Sequence, residues 1–249
     1  MTALGRAWFV ARIALGFVVF GLGALLLSLL LTTLALLPAA SRQRRVRATI
    51  SLSARLYLKL LASLRLMVFE FPDPSPLNRP GQLVIANHPC LLDAVIMMAL
   101  MPSACFVVKA ATAHNPFTRV LVYLAGYLPN DQFGPDLVAR AAELIAAGET
   151  LMIFPEGTRT PDPAQLRFQR GAANIALAAR CPVQPLHIHM ENPALRKHDP
   201  WYYLPPAKPH FVMRCLPPVE TASQVDFSQP PGLQARQLTR ELQKLFETV

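Results

Sequence analysis

The stretch "LVIANHPCLLDAVIMMALM" (Leu83 to Met101) decides the fold. Four apolar residues, Leu83–Ala86, stop at Asn87-His88-Pro89, and a longer apolar run, Leu91–Met101, follows. A short buried strand closed by turn residues and followed by a helix is the building unit of an α/β domain. The alternation repeats downstream. Strands are expected over Cys105–Val108, Thr150–Phe154, Val183–Ile188 and His210–Cys215, and helices over Pro116–Leu124, Pro135–Ala147, Gly171–Ala179 and Gly232–Phe246. This pattern predicts one α/β domain, residues 83–249, with a largely parallel sheet flanked by helices. Residues 191–210 form a long Pro-rich loop of the kind that is functional or mobile.

Upstream, "IALGFVVFGLGALLLSLLLTTLALL" (Ile13 to Leu37) runs 25 residues without a charge. At about 1.5 Å per residue it exceeds a hydrocarbon core of roughly 30 Å, so residues 1–41 are expected to form a membrane anchor, spanning with some tilt. A shallow hairpin is the other option, given Gly16, Gly21 and Gly23. "SRQRRVR" follows with four arginines in seven residues. This flank predicts a cytoplasmic membrane with the body of the chain on the cytoplasmic face. A cleaved signal peptide is disfavoured by the length of the run and by the basic residues directly after it. Residues 42–70 repeat leucines at helical spacing among Arg44, Arg47, Arg55, Lys59 and Arg65, as a basic amphipathic helix in the headgroup layer would. Residues 71–82 are a Pro-rich linker.

Charge placement narrows the partners. Residues 1–69 hold nine Lys/Arg and no Asp or Glu, while the other 180 residues hold 15 of each kind. A basic arm without interleaved aromatics, joined to a neutral body, fits anionic lipid and not nucleic acid. Four widely spaced cysteines (Cys90, Cys105, Cys181, Cys215) fit neither a disulfide framework nor a thiolate zinc site.

Polar residues fall at the ends of the expected strands, where open α/β sheets bind ligands. His88 and Asp93 follow the first, Lys109 the second, and "PEGTRT" with Glu156, Thr158 and Arg159 the third. Pro89 suits the first position of a helix, which sets His88 near its cap and Asp93 one turn in. The carboxylate can then fix the imidazole tautomer and leave the other nitrogen as a base for a hydroxyl attacking a carbonyl. Arg159 offers a planar fork for phosphate, and Glu156 could hold that fork. Cys90 is a poor nucleophile candidate, because neighbours on a helix start point apart. A metal site from His88, Asp93, Glu156 and His187 or His189 lacks an anchoring H-x-x-x-H or H-x-E signature.

"NHPCLLD" and "FPEGTRT" resemble the first and third motifs of the glycerolipid acyltransferase family, which includes 1-acylglycerol-3-phosphate acyltransferases, and "CPVQPLHI" (Cys181 to Ile188) resembles its fourth. The similarity covers Leu83 to Ile188. It implies direct acyl transfer from an acyl thioester, carried by CoA or acyl carrier protein, to the hydroxyl of a lysophospholipid in the bilayer. His88 would be the general base and Asp93 its orienting partner. Glu156, Gly157, Thr158 and Arg159 would line the acceptor site with Lys109. The resemblance implies no metal, cofactor or covalent intermediate.

The second motif departs from the family pattern. "KAATAHNPFTRVLVYLAGYLPNDQ" keeps Lys109, Pro116 and Gly126 but ends in Asn130-Asp131, so a cation expected near the acceptor phosphate is missing, with Lys109 and Arg119 nearby. That departure leaves open a different lipid acceptor, such as an aryl-polyene glycolipid or an aminolipid, charged from acyl carrier protein. A non-enzymatic lipid-binding protein at the membrane surface is the reading from another functional class.

Overall fold

The computed structural model describes residues 3–116, 118–130, 134–159 and 166–248. Phe117, Asp131, Gln132 and Thr160, which belong to stretches quoted above, lie outside the described residues. Among the described residues seven strands form one sheet: β1 Val68–Glu70, β2 Leu83–Ala86, β3 Cys105–Lys109, β4 Leu128–Asn130, β5 Leu151–Ile153, β6 Val183–Glu191 and β7 His210–Cys215. Their order is β1-β7-β6-β2-β5-β3-β4. The five from β6 to β4 run parallel, β7 returns antiparallel on β6, and β1 pairs parallel with β7. The largely parallel sheet is therefore as expected. All four residues of β2 are buried, as befits a central strand covered on both faces.

The helices are α1 Ala3–Thr32, α2 Ala39–Ser63, α3 Asp93–Leu100, α4 Ala110–His114, α5 Arg119–Ala125, α6 Pro135–Ala146, α7 Gly171–Ala179, α8 Thr221–Gln224 and α9 Pro231–Glu247. One layer joins α1, α2, α3 and α5, and another joins α6, α7 and α9. In α9 the buried residues Ala235, Leu238, Leu242 and Phe246 recur every three to four positions and give it a single core-facing stripe. The chain leaves β2 through α3 toward β3, and leaves the adjacent β5 through α7 toward β6. Connections that diverge from neighbouring strands open a crevice at their carboxyl ends.

Three expectations are corrected. First, the helix expected over residues 42–70 ends at Ser63, and Arg65 adopts a left-handed φ of 54° that turns the chain into β1. Second, the segment at 71–82 does not lie outside the domain. It contains a 3-10 turn, Ser75–Asn78, whose Leu77 is fully buried, and β1 before it belongs to the sheet. Third, Arg47 is not a headgroup cation. It is buried, donates to the carbonyls of Ala125 (2.8 Å) and Ser103 (3.0 Å), and pairs with Glu149. Carbonyls and a carboxylate take the Nε and Nη1 hydrogens of this dry guanidinium and offset part of the cost of burying it, while Nη2 has no partner among the described residues. Val46, Ile50, Ala54, Leu58 and Leu61 bury the rest of that face of α2, leaving Arg44, Arg45, Arg55 and Lys59 outside.

α1 and the 3-10 turn after it, from Leu4 to Leu36, are long and apolar enough to cross a membrane by length and composition. Trp8, Leu15, Val18, Leu22, Leu26 and Leu29 are exposed along it. The opposite face rests on the rest of the chain. Arg12 donates to the Leu64 carbonyl (2.9 Å), Tyr57 donates to the Gly16 carbonyl (3.3 Å), and Leu31 is buried.

Candidate active site

The pairing of β2 with β5 sets Ile85 opposite Ile153, so Asn87-His88 and Phe154-Glu156 leave the sheet side by side. Asn87 extends β2 by its side chain. Its amide nitrogen donates to the Ile188 carbonyl (2.8 Å) and its amide oxygen accepts from the Ile188 N–H (2.7 Å), which continues the β2–β6 ladder. The His88 N–H donates to Glu156 Oε1 (2.7 Å), and the imidazole stacks on Phe154 with ring centroids 4.3 Å apart. The turn is thus held from both sides, Asn87 by β6 and His88 by the segment that leaves β5. Replacing Asn87 with alanine leaves both Ile188 backbone groups without that partner, and should lower stability by about 2 kcal/mol in chemical denaturation.

His88 Nδ1 lies 2.8 Å from Asp93 Oδ2, the pair read from sequence. The local structure that joins them differs from the expected helix start. α3 begins at Asp93, so Pro89 is not its first residue and His88 is not its cap. The Asp93 carboxylate reaches back instead, accepting the Cys90 N–H on Oδ2 (2.7 Å) and the Cys90 thiol on Oδ1 (3.3 Å). The Leu91 N–H is taken by the Leu195 carbonyl (3.1 Å). These partners satisfy the amides that a helix over 91–93 would leave unpaired, so the turn is stable without it. Cys90 is fully buried, and burial first, then the Asp93 charge, pushes its thiol well up, which leaves little thiolate for nucleophilic work.

Burial pushes the Asp93 carboxyl up from its usual value, opposed by the His88 ring and the Cys90 amide. Every group directed at it donates, which suits the ionised form with Nδ1 protonated. His88 Nε2 is then the nitrogen left for a substrate.

Glu156 is buried, and loss of solvent raises its carboxyl to about 7, the backbone bond from His88 opposing and the Asp93 charge adding. Among the described residues its Oε2 has no partner. A carboxyl whose folded value exceeds its unfolded one gives stability that is full below about 4.5 and is lost as pH rises through about 7. Glu156→Gln keeps an acceptor for the His88 N–H. It should remove on the order of 3 kcal/mol of that pH-dependent loss, read as a flatter melting temperature across the window.

The remaining rim residues are dispersed. Gly157, with φ +68°, makes the turn after β5, its N–H bonded to the Phe154 carbonyl (3.1 Å), and Thr158 is exposed beside it. Arg159 does not pair with Glu156, which corrects the expected fork-and-carboxylate arrangement. Its Nη1 reaches the carbonyls of Leu195 and Arg196, both at 3.4 Å, because the β6–β7 connection folds back over this rim. Lys109 ends β3 opposite Asn130, exposed and separated from β2 by β5. His187 and His189 sit on β6 with rings 6.4 Å apart, and His187 packs on Phe246. Among the described residues no three His, Cys, Asp or Glu side chains converge to hold a metal. An apolar cavity of about 830 Å³ adjoins the rim, walled in part by Phe17, Leu27, Tyr57, Leu91, Leu195 and Tyr203.

Sequence reasoning missed Asn87 and Leu195. The first carried a signal, a side-chain amide placed directly after a strand. The second carried none, since its carbonyl serves Leu91 and Arg159 only through tertiary folding.

The family model described as Acyltransferase matches residues 68–189, from the first residue of β1 into β6. That span includes the His88–Asp93 pair and the Phe154–Arg159 turn. Over that span the chain is similar to glycerolipid acyltransferases. Similar proteins include a chloroplastic 1-acyl-sn-glycerol-3-phosphate acyltransferase of Brassica napus, 30% identical over 139 residues, covering 52% of this chain and 40% of that one. The 1-acyl-sn-glycerol-3-phosphate acyltransferase alpha of Mus musculus is 28% identical over 176 residues, covering 67% of this chain and 59% of that one. The chain thus spans between two fifths and three fifths of these curated relatives. Among solved structures, the 1-acyl-sn-glycerophosphate acyltransferase PlsC of Thermotoga maritima shares the fold, with a TM-score of 0.61, 19% identity and 98% of both chains covered.

Proposed function

We propose that this chain is a glycerolipid acyltransferase that moves a fatty acyl group from an acyl thioester to the hydroxyl of a lysophospholipid of the 1-acylglycerol-3-phosphate type. The observation that carries the proposal is the His88–Asp93 pair, oriented at 2.8 Å at the carboxyl end of β2 beside an apolar cavity. The acceptor hydroxyl gives its proton to His88 Nε2 as its oxygen attacks the thioester carbonyl carbon. Asp93 stabilises the imidazolium that results. Collapse of the tetrahedral adduct breaks the C–S bond, and the imidazolium returns the proton to the departing thiolate. No group on the enzyme is acylated, in keeping with the inert Cys90.

The acyl chain occupies the cavity between α1, α2 and the catalytic turn, and Arg159 meets the acceptor phosphate when it exchanges the Leu195 and Arg196 carbonyls for a charged partner. Two bonds of 3.4 Å to neutral carbonyls are weak competition for a phosphate. Arg159→Ala should raise KM for a phosphate-bearing acceptor about tenfold and leave a phosphate-free acceptor nearly unchanged, measured by initial rates on both. Because the second motif ends in Asn130-Asp131 where the family pattern has a basic ending, the panel includes a glycolipid and an aminolipid, and a preference for either would replace the lysophosphatidic reading. Absence of turnover with every donor and acceptor would favour a lipid-binding role.

Attachment to the membrane is through α1 lying along one bilayer face. Contacts from Arg12 to Leu31 tie it to the catalytic body, a length of about 29 Å at 1.5 Å per residue, nearly the full hydrocarbon thickness. A crossing helix would draw those attached polar segments into hydrocarbon, where unsatisfied backbone is not tolerated. The exposed leucines of α1, joined by Leu52 and Leu56 of α2, support a side-on seat.

A further inference from the structure

The connection between β6 and β7, residues 192–209, has two halves with different surroundings. The first is fastened to the catalytic rim. Asn192 and Leu195 take left-handed φ values of 50° and 57°, a conformation side-chain-bearing residues hold only when neighbours fix it. The Leu195 carbonyl receives the Leu91 N–H and Arg159, and Arg196 forks onto Asp199.

The second half faces outward with large amphipathic rings. Trp201 is 49% exposed and Tyr202 is 53% exposed, stacked edge-on at 5.4 Å. Trp201 also meets the edge of Phe17 in α1 at 6.3 Å, so the pair continues the apolar surface of that helix. Lys197 and His198 before them and Lys208 after them are exposed as well. Five of the eighteen residues are proline (Pro193, Pro200, Pro205, Pro206 and Pro209), which removes five backbone donors from a segment that is neither helix nor strand.

We propose that residues 197–208 are a second membrane contact, in which Trp201 and Tyr202 sit in the headgroup layer of an anionic bilayer while Lys197 and Lys208 meet its phosphates. The inference rests on the side-on seat of α1 proposed above. Tryptophan and tyrosine favour that layer because an apolar ring can sink while its N–H or O–H stays wet. Lysines beside them gain from the negative surface potential. A protein partner would use the outward backbone donors of the loop, three of which Pro200, Pro205 and Pro206 remove from residues 197–208, whereas lipid penalises such donors. The same segment supplies Tyr203 and Pro205 to the cavity wall, and its first half holds Leu91 and Arg159. Lipid contact by the second half therefore sets the cavity and the catalytic rim at the bilayer surface.

The chain has two tryptophans, Trp8 and Trp201, so single-tryptophan variants of the full chain report on each site. Trp8→Phe isolates Trp201, and Trp201→Phe isolates Trp8. Both are reconstituted in vesicles of phosphatidylglycerol and phosphatidylcholine carrying bromine near either the carbonyl or the methyl end of the acyl chains. Trp201 emission is expected to shift blue and to fall roughly twofold with the shallow bromine and less with the deep one, as for a ring at the interface. If Trp8 is quenched and Trp201 is not, α1 keeps its lipid seat and the loop contact is wrong. If neither is quenched, both readings fall.

Discussion

His88→Ala is expected to lower kcat for acyl transfer by about two to four orders of magnitude, the range over which a positioned general base acts. The fold should survive. The bonds that shape the turn run through the His88 N–H, the Asn87 amide and the Cys90 N–H, none of which needs the imidazole. The ring is partly exposed at 18%, so removing it creates no sealed cavity. Activity is followed as thiol released and lipid product formed, with a thermal melt as control. A variant that melts normally and turns over at the wild-type rate would remove His88 from the mechanism.

Asp93 should give the second large effect, and two substitutions separate its roles. Asp93→Asn can keep an oxygen where His88 and Cys90 both donate, on the present Oδ2, and turn its nitrogen toward Cys90 Sγ. The fold then persists, while the charge that stabilises the imidazolium is gone. The rate should fall by about two orders of magnitude or more, with the melting temperature nearly held. Asp93→Ala deprives Nδ1 and the Cys90 N–H of their acceptor inside a fully buried site. It should cost about 3 kcal/mol in stability beyond its effect on rate. Equal loss of stability in both variants would mean that the charge, and not the acceptor geometry, holds the turn.

The parts of the fold that could be read from sequence are those whose burial leaves a contiguous pattern. Leu83–Ala86, Gly171–Ala179 and His210–Cys215 emerge with the expected bounds, because apolar runs there stop at turn residues. The two edge strands escaped. Val68–Glu70 and Leu128–Asn130 have three residues each, too few for a period. The first continues the leucine spacing of the preceding helix, and the second contains Pro129, which an edge position tolerates and a central one does not. The Pro-rich 71–82 segment reads as a linker because Leu77, its one fully buried anchor, carries no pattern alone.

At the site, the residue types were legible and the connections between them were not. His88 and Asp93 announce themselves as polar groups enclosed by apolar sequence. Their meeting through a reaching carboxylate, and not across a helical turn, depends on the Cys90 and Leu195 bonds. Likewise, "PEGTR" supplies a carboxylate and a cation but not their partners. Glu156 turns to the His88 backbone, and Arg159 turns to a loop that arrives from residues 195 and 196. Interactions between segments that distant are set by sheet order, which no local spacing encodes.

The most direct test of the central claim follows both halves of the reaction in one sample. The full chain, reconstituted in anionic vesicles with 1-acylglycerol-3-phosphate, receives an isotopically labelled acyl thioester, on CoA in one arm and on acyl carrier protein in another. Thiol release and lipid mass are measured together. The predicted result is labelled diacylglycerol phosphate formed in equal amount to the thiol in at least one arm, and lost in His88→Ala. Thiol release without acylated lipid, or product formation that persists in His88→Ala, would contradict it.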